Sequence, residues 1–100
     1  MNALTLKKIK DGLRISHDKL DDDIQSDAEA CLADLERVGI IYADDEDPLI
    51  FNAIKLWCRS LYTDDPVKSA EYLRRYERLR DSLSMAEGYG RPFEEETDDE

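Results

Sequence analysis

Asp-Pro occurs twice in this chain, at Asp47-Pro48 and Asp65-Pro66, and each pair stands just before residues whose apolar members recur at helical spacing. An aspartate at an N-cap accepts hydrogen bonds from the orphan amides of the first turn. A proline just inside the helix gives up an N–H that had no partner there. Each pair is therefore a helix start, and the second half of the chain is expected to be helical. The first of these helices runs from Leu49 to Tyr62. Its polar positions, Asn52, Lys55 and Arg59, form one narrow stripe, while Leu49, Ile50, Phe51, Ala53, Ile54, Leu56, Trp57, Cys58, Leu61 and Tyr62 cover the rest. Such a helix is buried on several sides. The second follows the turn Thr63-Asp64 and runs to about Ala86, stopped by Gly88 and Gly90. Its seam is Tyr72, Tyr76, Leu79, Leu83 and Ala86, broadened by Leu73. Glu71 and Arg75 are a favourable i,i+4 pair, but Arg74 and Arg78 repel at the same spacing, so this excess of arginine needs a partner.

The first half reads in the same way. Leu6, Ile9 and Leu13 predict a short helix beginning near Thr5, whose hydroxyl can cap it. Ser16 or Asp18 can cap a second helix from about Leu20 to Arg37, with Asp21, Asp22 and Asp23 where the helix dipole favours negative charge. Its stripe, Ile24, Ala28, Cys31, Leu35 and Val38, is a packing seam, and Gly39 is placed to end it. Ile40, Ile41 and Tyr42 are too few for a persuasive strand, and Asp44 to Asp47 form a solvated acidic loop.

With charged residues at 39 % and hydrophobic ones at 41 %, the chain suits amphipathic helices better than buried parallel strands. At 100 residues the core is modest. The expected fold is all-α, a compact bundle of about four helices over residues 1–93. An acidic C-terminal tail, residues 94–100, has no apolar periodicity and should be disordered. No apolar run is long enough to span a membrane, and the start (Met1, Asn2, Ala3, Leu4) lacks a basic stretch followed by an apolar signal core. Cys31 and Cys58 sit among apolar residues as small hydrophobes, which fits a reducing cytoplasm.

Charge is unevenly distributed. Residues 1–17 carry a net +3, residues 18–47 a net -10, residues 48–93 a net +2 and residues 94–100 a net -6, within a total of -11. Phosphate binding needs a concentrated positive field, so direct nucleic-acid binding is not expected. Enzyme function is not expected either. His17 is the only histidine and reads as a loop residue near a helix start, so neither a Ser-His-Asp nor a Cys-His set is convincingly completed, and zinc ligands at metal spacing are lacking. The carboxylates lie in runs typical of solvated faces. No window has the Asp, Gly and Glu spacing of a calcium loop. Asp81-Ser82-Leu83 matches the tripeptide that carries the prosthetic group of acyl carrier proteins. There, however, the serine opens a helix, whereas Ser82 falls late in one. No cofactor is expected. Trp57 and Tyr76 read as core, and Tyr62 and Tyr72 as core or interface aromatics. Phe93, between a proline and an acidic run, is either an exposed anchor or a disordered residue.

The opening Leu6-Lys7-Lys8-Ile9-Lys10-Asp11-Gly12-Leu13-Arg14-Ile15 with Asp21-Asp22-Asp23-Ile24 carries a likeness, together with Asp47-Pro48-Leu49-Ile50-Phe51-Asn52-Ala53-Ile54-Lys55-Leu56-Trp57-Cys58-Arg59 and the close Leu79-Arg80-Asp81-Ser82-Leu83-Ser84-Met85-Ala86. The chain resembles the small head-tail connector (head completion, DNA-packaging) proteins of long-tailed bacteriophages and prophages, over residues 4 to about 90. The resemblance implies a helical subunit that forms a ring, expected to be dodecameric, below the portal protein. Such a ring extends the DNA channel without binding DNA specifically and presents a surface to a further connector or tail protein. It implies assembly in the bacterial cytoplasm and residence in the virion neck, with the C-terminal segment, here Phe93, Glu94, Glu95 and Glu96, reaching toward the portal. The charge pattern suits a head-to-tail contact in which Asp27 and Asp34 of one subunit meet Arg74, Arg75 and Arg78 of the next. The alternative is an acidic DNA-mimic or inhibitor protein that occupies another protein's basic site.

Overall fold

A computed structural model describes residues 3–40 and 43–90. Among them are four helices and no strand: α1 (Ala3–Leu13), α2 (Asp21–Arg37), α3 (Pro48–Tyr62) and α4 (Pro66–Ser84). The fold is all-α, as the periodicity predicts. Helix α3 is the hub. It packs against α1, α2 and α4, and α1 also rests on α2. Its buried residues are Ile50, Ala53, Ile54 and Cys58, joined in one core by Ile9 of α1, Ile24, Ala28, Cys31 and Leu35 of α2, Ile40, and Tyr76 and Leu83 of α4.

Both Asp-Pro starts are real. The Asp47 carboxylate accepts from the amides of Leu49 and Ile50 at 2.8 and 3.3 Å, and Asp65 accepts from Val67 and Lys68 at 2.9 and 3.3 Å. Helix α2 ends as Gly39 requires. With φ of 97°, Gly39 turns the chain so that its own amide reaches the Glu36 carbonyl and that of Ile40 reaches Leu35. This paired closure also buries Ile40 beside Leu35. The same closure ends α1, where Arg14 donates to Asp11 and Ile15 to Lys10, but here the left-handed residue is Arg14 itself, at φ of 60°.

Two boundaries and one cap differ from expectation. Helix α1 begins at Ala3, and Thr5 is not a cap but a buried residue inside it. Thr5 lies four positions before Ile9, on the face that packs inward. At α2 the N-cap is Leu20, with no side-chain cap from Ser16 or Asp18. The first-turn aspartates remain, and Asp21 meets Lys10 of α1 at 2.7 Å. Helix α4 stops at Ser84, short of Ala86. Residues 85–90 then hook back, with the Gly90 amide donating to the carbonyls of Leu83 and Ala86 at 3.0 and 3.1 Å. A Cβ at Gly90 would overlap the Ser84 backbone, so only glycine fits there. The seam of α4 is also narrower than expected: Leu73 is exposed, and only Tyr76 and Leu83 are fully buried. Ile41, Tyr42 and the acidic tail, residues 94–100, lie outside the described residues.

Candidate protein-binding surfaces

Polar chemistry inside the bundle is concentrated where α2 faces α3 and α4. Tyr76 donates its hydroxyl to the Asp34 carboxylate at 2.6 Å, and Arg80 and Arg37 reach the same carboxylate at 3.2 and 2.7 Å. Burial by itself would raise the Asp34 carboxyl; the hydrogen bonds from Tyr76, Arg37 and Arg80 outweigh it and hold the group below the ordinary carboxylate range. Tyr76 is pushed well above the usual phenol range, by burial first and by Asp34 second. The Tyr76 ring meets the half-buried Trp57 edge to face at 5.1 Å between centroids. A second bond of this type joins Tyr62 on α3 to Asp27 on α2 at 2.7 Å. Burial, then Asp27, raises the Tyr62 phenol. Cys31 and Cys58 are fully enclosed, and desolvation pushes both thiols up to about 12. Thiols of that kind are packing groups.

Asp27 and Asp34, placed by the charge pattern at an interface, therefore spend their carboxylates within the fold. The arginines do not. Arg74, Arg75 and Arg78 are exposed, and Arg75 makes only a loose 3.9 Å contact with Glu71. Arg74 and Arg78 have no acidic partner among the described residues. They project from the side of α4 turned away from Tyr76 and Leu83, beside the exposed Val67. On α2 the exposed acids are Asp22, Asp23, Glu29 and Glu36. Phe93, Glu94, Glu95 and Glu96 lie outside the described residues.

Sequence reasoning missed one feature. The end of α1, the end of α3 and the first turns of α4 enclose an open cleft of about 220 Å³ lined by Gly12, Leu13, Arg14, Arg59, Tyr62, Thr63, Lys68 and Tyr72. Three cations converge there in a chain of net charge -11, and none of the three has an acidic partner among the described residues. No local signal marks it, because Arg14 follows the end of α1 whereas Arg59 lies on α3 and Lys68 on α4.

Among the described residues no group of histidine, cysteine, aspartate and glutamate is arranged to hold a metal ion, and no helix is long and apolar enough to cross a membrane. His17 is exposed and accepts a hydrogen bond from the Lys19 amide at 3.2 Å, within the turn before α2. Ser82 is exposed late in α4, next to the buried Leu83. No protein-family model, curated protein or solved structure matches the chain.

Proposed function

We propose that this chain is a structural connector subunit of the phage head-tail type, which assembles head to tail into a ring below a portal, extends the DNA channel and joins head to tail. One observation carries the reading: Arg74 and Arg78 stand exposed on the outer side of α4 with no acidic partner among the described residues, in a chain whose α2 exposes Asp22, Asp23, Glu29 and Glu36. A subunit with an exposed basic face on one helix and an acidic face on another complements a second copy of itself. Such heterologous contacts close into rings when the rotation permits. An acidic inner wall also suits a DNA channel, because attraction to phosphates is what makes proteins cling to DNA.

The test is sedimentation and negative-stain microscopy of the intact chain across salt concentration. Association should weaken as salt rises, since screening shortens to about 3 Å at 1 M. Reversing Arg74→Glu with Arg78→Glu should abolish rings while leaving helical content unchanged. Complementary reversal on α2 should use Asp22→Lys with Glu29→Lys, which spares the internal bonds of Asp27 and Asp34, and should partly restore assembly. A wild type that stays monomeric at high concentration and beside a candidate portal overturns the reading and favours the acidic inhibitor.

A further inference from the structure

We propose that the basic cleft between α1, α3 and α4 receives the acidic segment, residues 94–100, of a second copy of this chain. The inference rests on the head-to-tail reading above and adds a second contact to it. Arg14, Arg59 and Lys68 line one open hollow with the rings of Tyr62 and Tyr72. The Tyr62 hydroxyl already donates its proton to Asp27, so the ring stands fixed as an aromatic wall of the cleft. Arg59 runs against α1, its Nη2 lying 3.7 Å from where a Cβ on Gly12 would sit. A larger residue there would come into contact with the guanidinium.

Arg14 supplies an independent observation. It holds the left-handed conformation, with φ of 60°, at a helix end where Gly39 does the same work without strain. Strain retained at a charged, exposed residue that lines a cleft points to a role for its side chain.

Charge complementarity names the occupant. Within this chain the one stretch that offers several acids and no base outside the described helices and loops is residues 94–100, with six acids, preceded by the aromatic Phe93. Geometry lets a second copy offer the whole acidic run, and a chain's own segment only its distal part. The chain passes Gly90 beside the start of α3, where the Tyr89 hydroxyl donates to Asp47 at 2.9 Å, whereas the cleft lies at the end of that helix. From Asp47 to Tyr62 the helix rises about 22 Å, and four extended residues from Gly90 to Glu94 reach only about 14 Å. Only the first acids of a chain's own segment therefore fall short of its own cleft; ten extended residues from Gly90 to Glu100 reach about 34 Å, so its last acids can arrive. A neighbour's segment can enter with all six.

The test is zero-length carbodiimide coupling of the intact protein, made as an equal mixture of nitrogen-15-labelled and unlabelled chains, followed by mass spectrometry of cross-linked peptides. Lys68 supplies the one amine of the cleft. The expected result is coupling of Lys68 to carboxylates of residues 94–100 in mixed-label pairs, falling at least tenfold in Arg14→Glu, which removes a cleft charge but keeps the reacting lysine. Three results overturn the proposal: same-label pairs alone, which mean self-docking; coupling to Lys7, Lys8 or Lys19 as readily as to Lys68; or no coupling. Sedimentation of the same samples separates the two readings. Rings without the Lys68 link overturn this inference alone, whereas a monomeric wild type overturns the ring and this contact together.

Discussion

Helices α3 and α4 open on the same signal, with caps whose hydrogen bonds differ by no more than 0.1 Å, yet their burial diverges. In α3, four of 15 residues are fully buried, and the helix meets all three others. In α4, two of 19 are, and both lie in its second half. The cap is a local device and sets where a helix begins. How much of it is buried depends on how many neighbours face it, which no cap encodes. Helix α4 packs mainly on α3, leaving Val67 and Leu73 exposed and the arginines in solvent. One helix organises the core, and the other displays charge.

The largest effect expected from that difference is on stability. Ile54→Ala, at a fully enclosed site of α3, should cost about 2 to 5 kcal/mol, from lost burial and the cavity left behind. Leu73→Ala on α4, at a residue 40 % exposed, should cost no more than about 0.5 kcal/mol. Urea unfolding of both variants checks this. Comparable losses would mean that the face of α4 bearing Leu73 is packed, and the proposed division between the helices would fail.

A smaller effect belongs to the point where α4 joins the core. Asp34→Asn keeps the shape but weakens the bonds from Tyr76, Arg37 and Arg80, and should cost about 1 to 3 kcal/mol at neutral pH. The pH profile gives an independent check. Because Asp34 is held below its ordinary range when folded, its contribution is present above that range and lost as pH falls through the lowered value. Tyr76 is raised, so its contribution is intact below the ordinary phenol range and lost as pH climbs beyond it. Asp34→Asn should therefore flatten the acid limb of the stability curve. An acid limb identical to wild type would show that another carboxylate governs acid unfolding.

These contrasts also mark what could be read along the chain. The starts of α3 and α4, the stripe Ile24, Ala28, Cys31 and Leu35, and the turn at Gly39 were legible because each depends on residues within a few positions of one another. Thr5 was misassigned because a threonine before an apolar stripe is locally a good cap; only packing reveals that it faces inward. Leu73 fits the helical period of α4 but has no helix opposite. The bond between Asp34 and Arg80 spans 46 positions, and the cleft gathers Arg14 after α1, Arg59 of α3 and Lys68 of α4. Neither arises from local pattern. Asp27 and Asp34 looked like surface charge for the same reason: their tyrosine partners are 35 and 42 positions away.

The finest expected difference lies between the two caps themselves. Asp47→Ala and Asp65→Ala should each cost about 1 kcal/mol from the loss of two amide acceptor bonds at a helix start. Asp47 carries one further duty: its carboxylate also accepts from the Tyr89 hydroxyl at 2.9 Å, tying the hook after α4 to the start of α3. Asp47→Ala should thus exceed Asp65→Ala by roughly the 0.5 to 1.5 kcal/mol of one such bond. Tyr89→Phe should reproduce that excess in wild type and have no effect once Asp47 is alanine, the pattern of two groups acting through one contact. Chemical denaturation of the four combinations measures the coupling. Additive losses would show that Tyr89 steadies the hook through its ring and not its hydroxyl, and the two caps would then be equivalent.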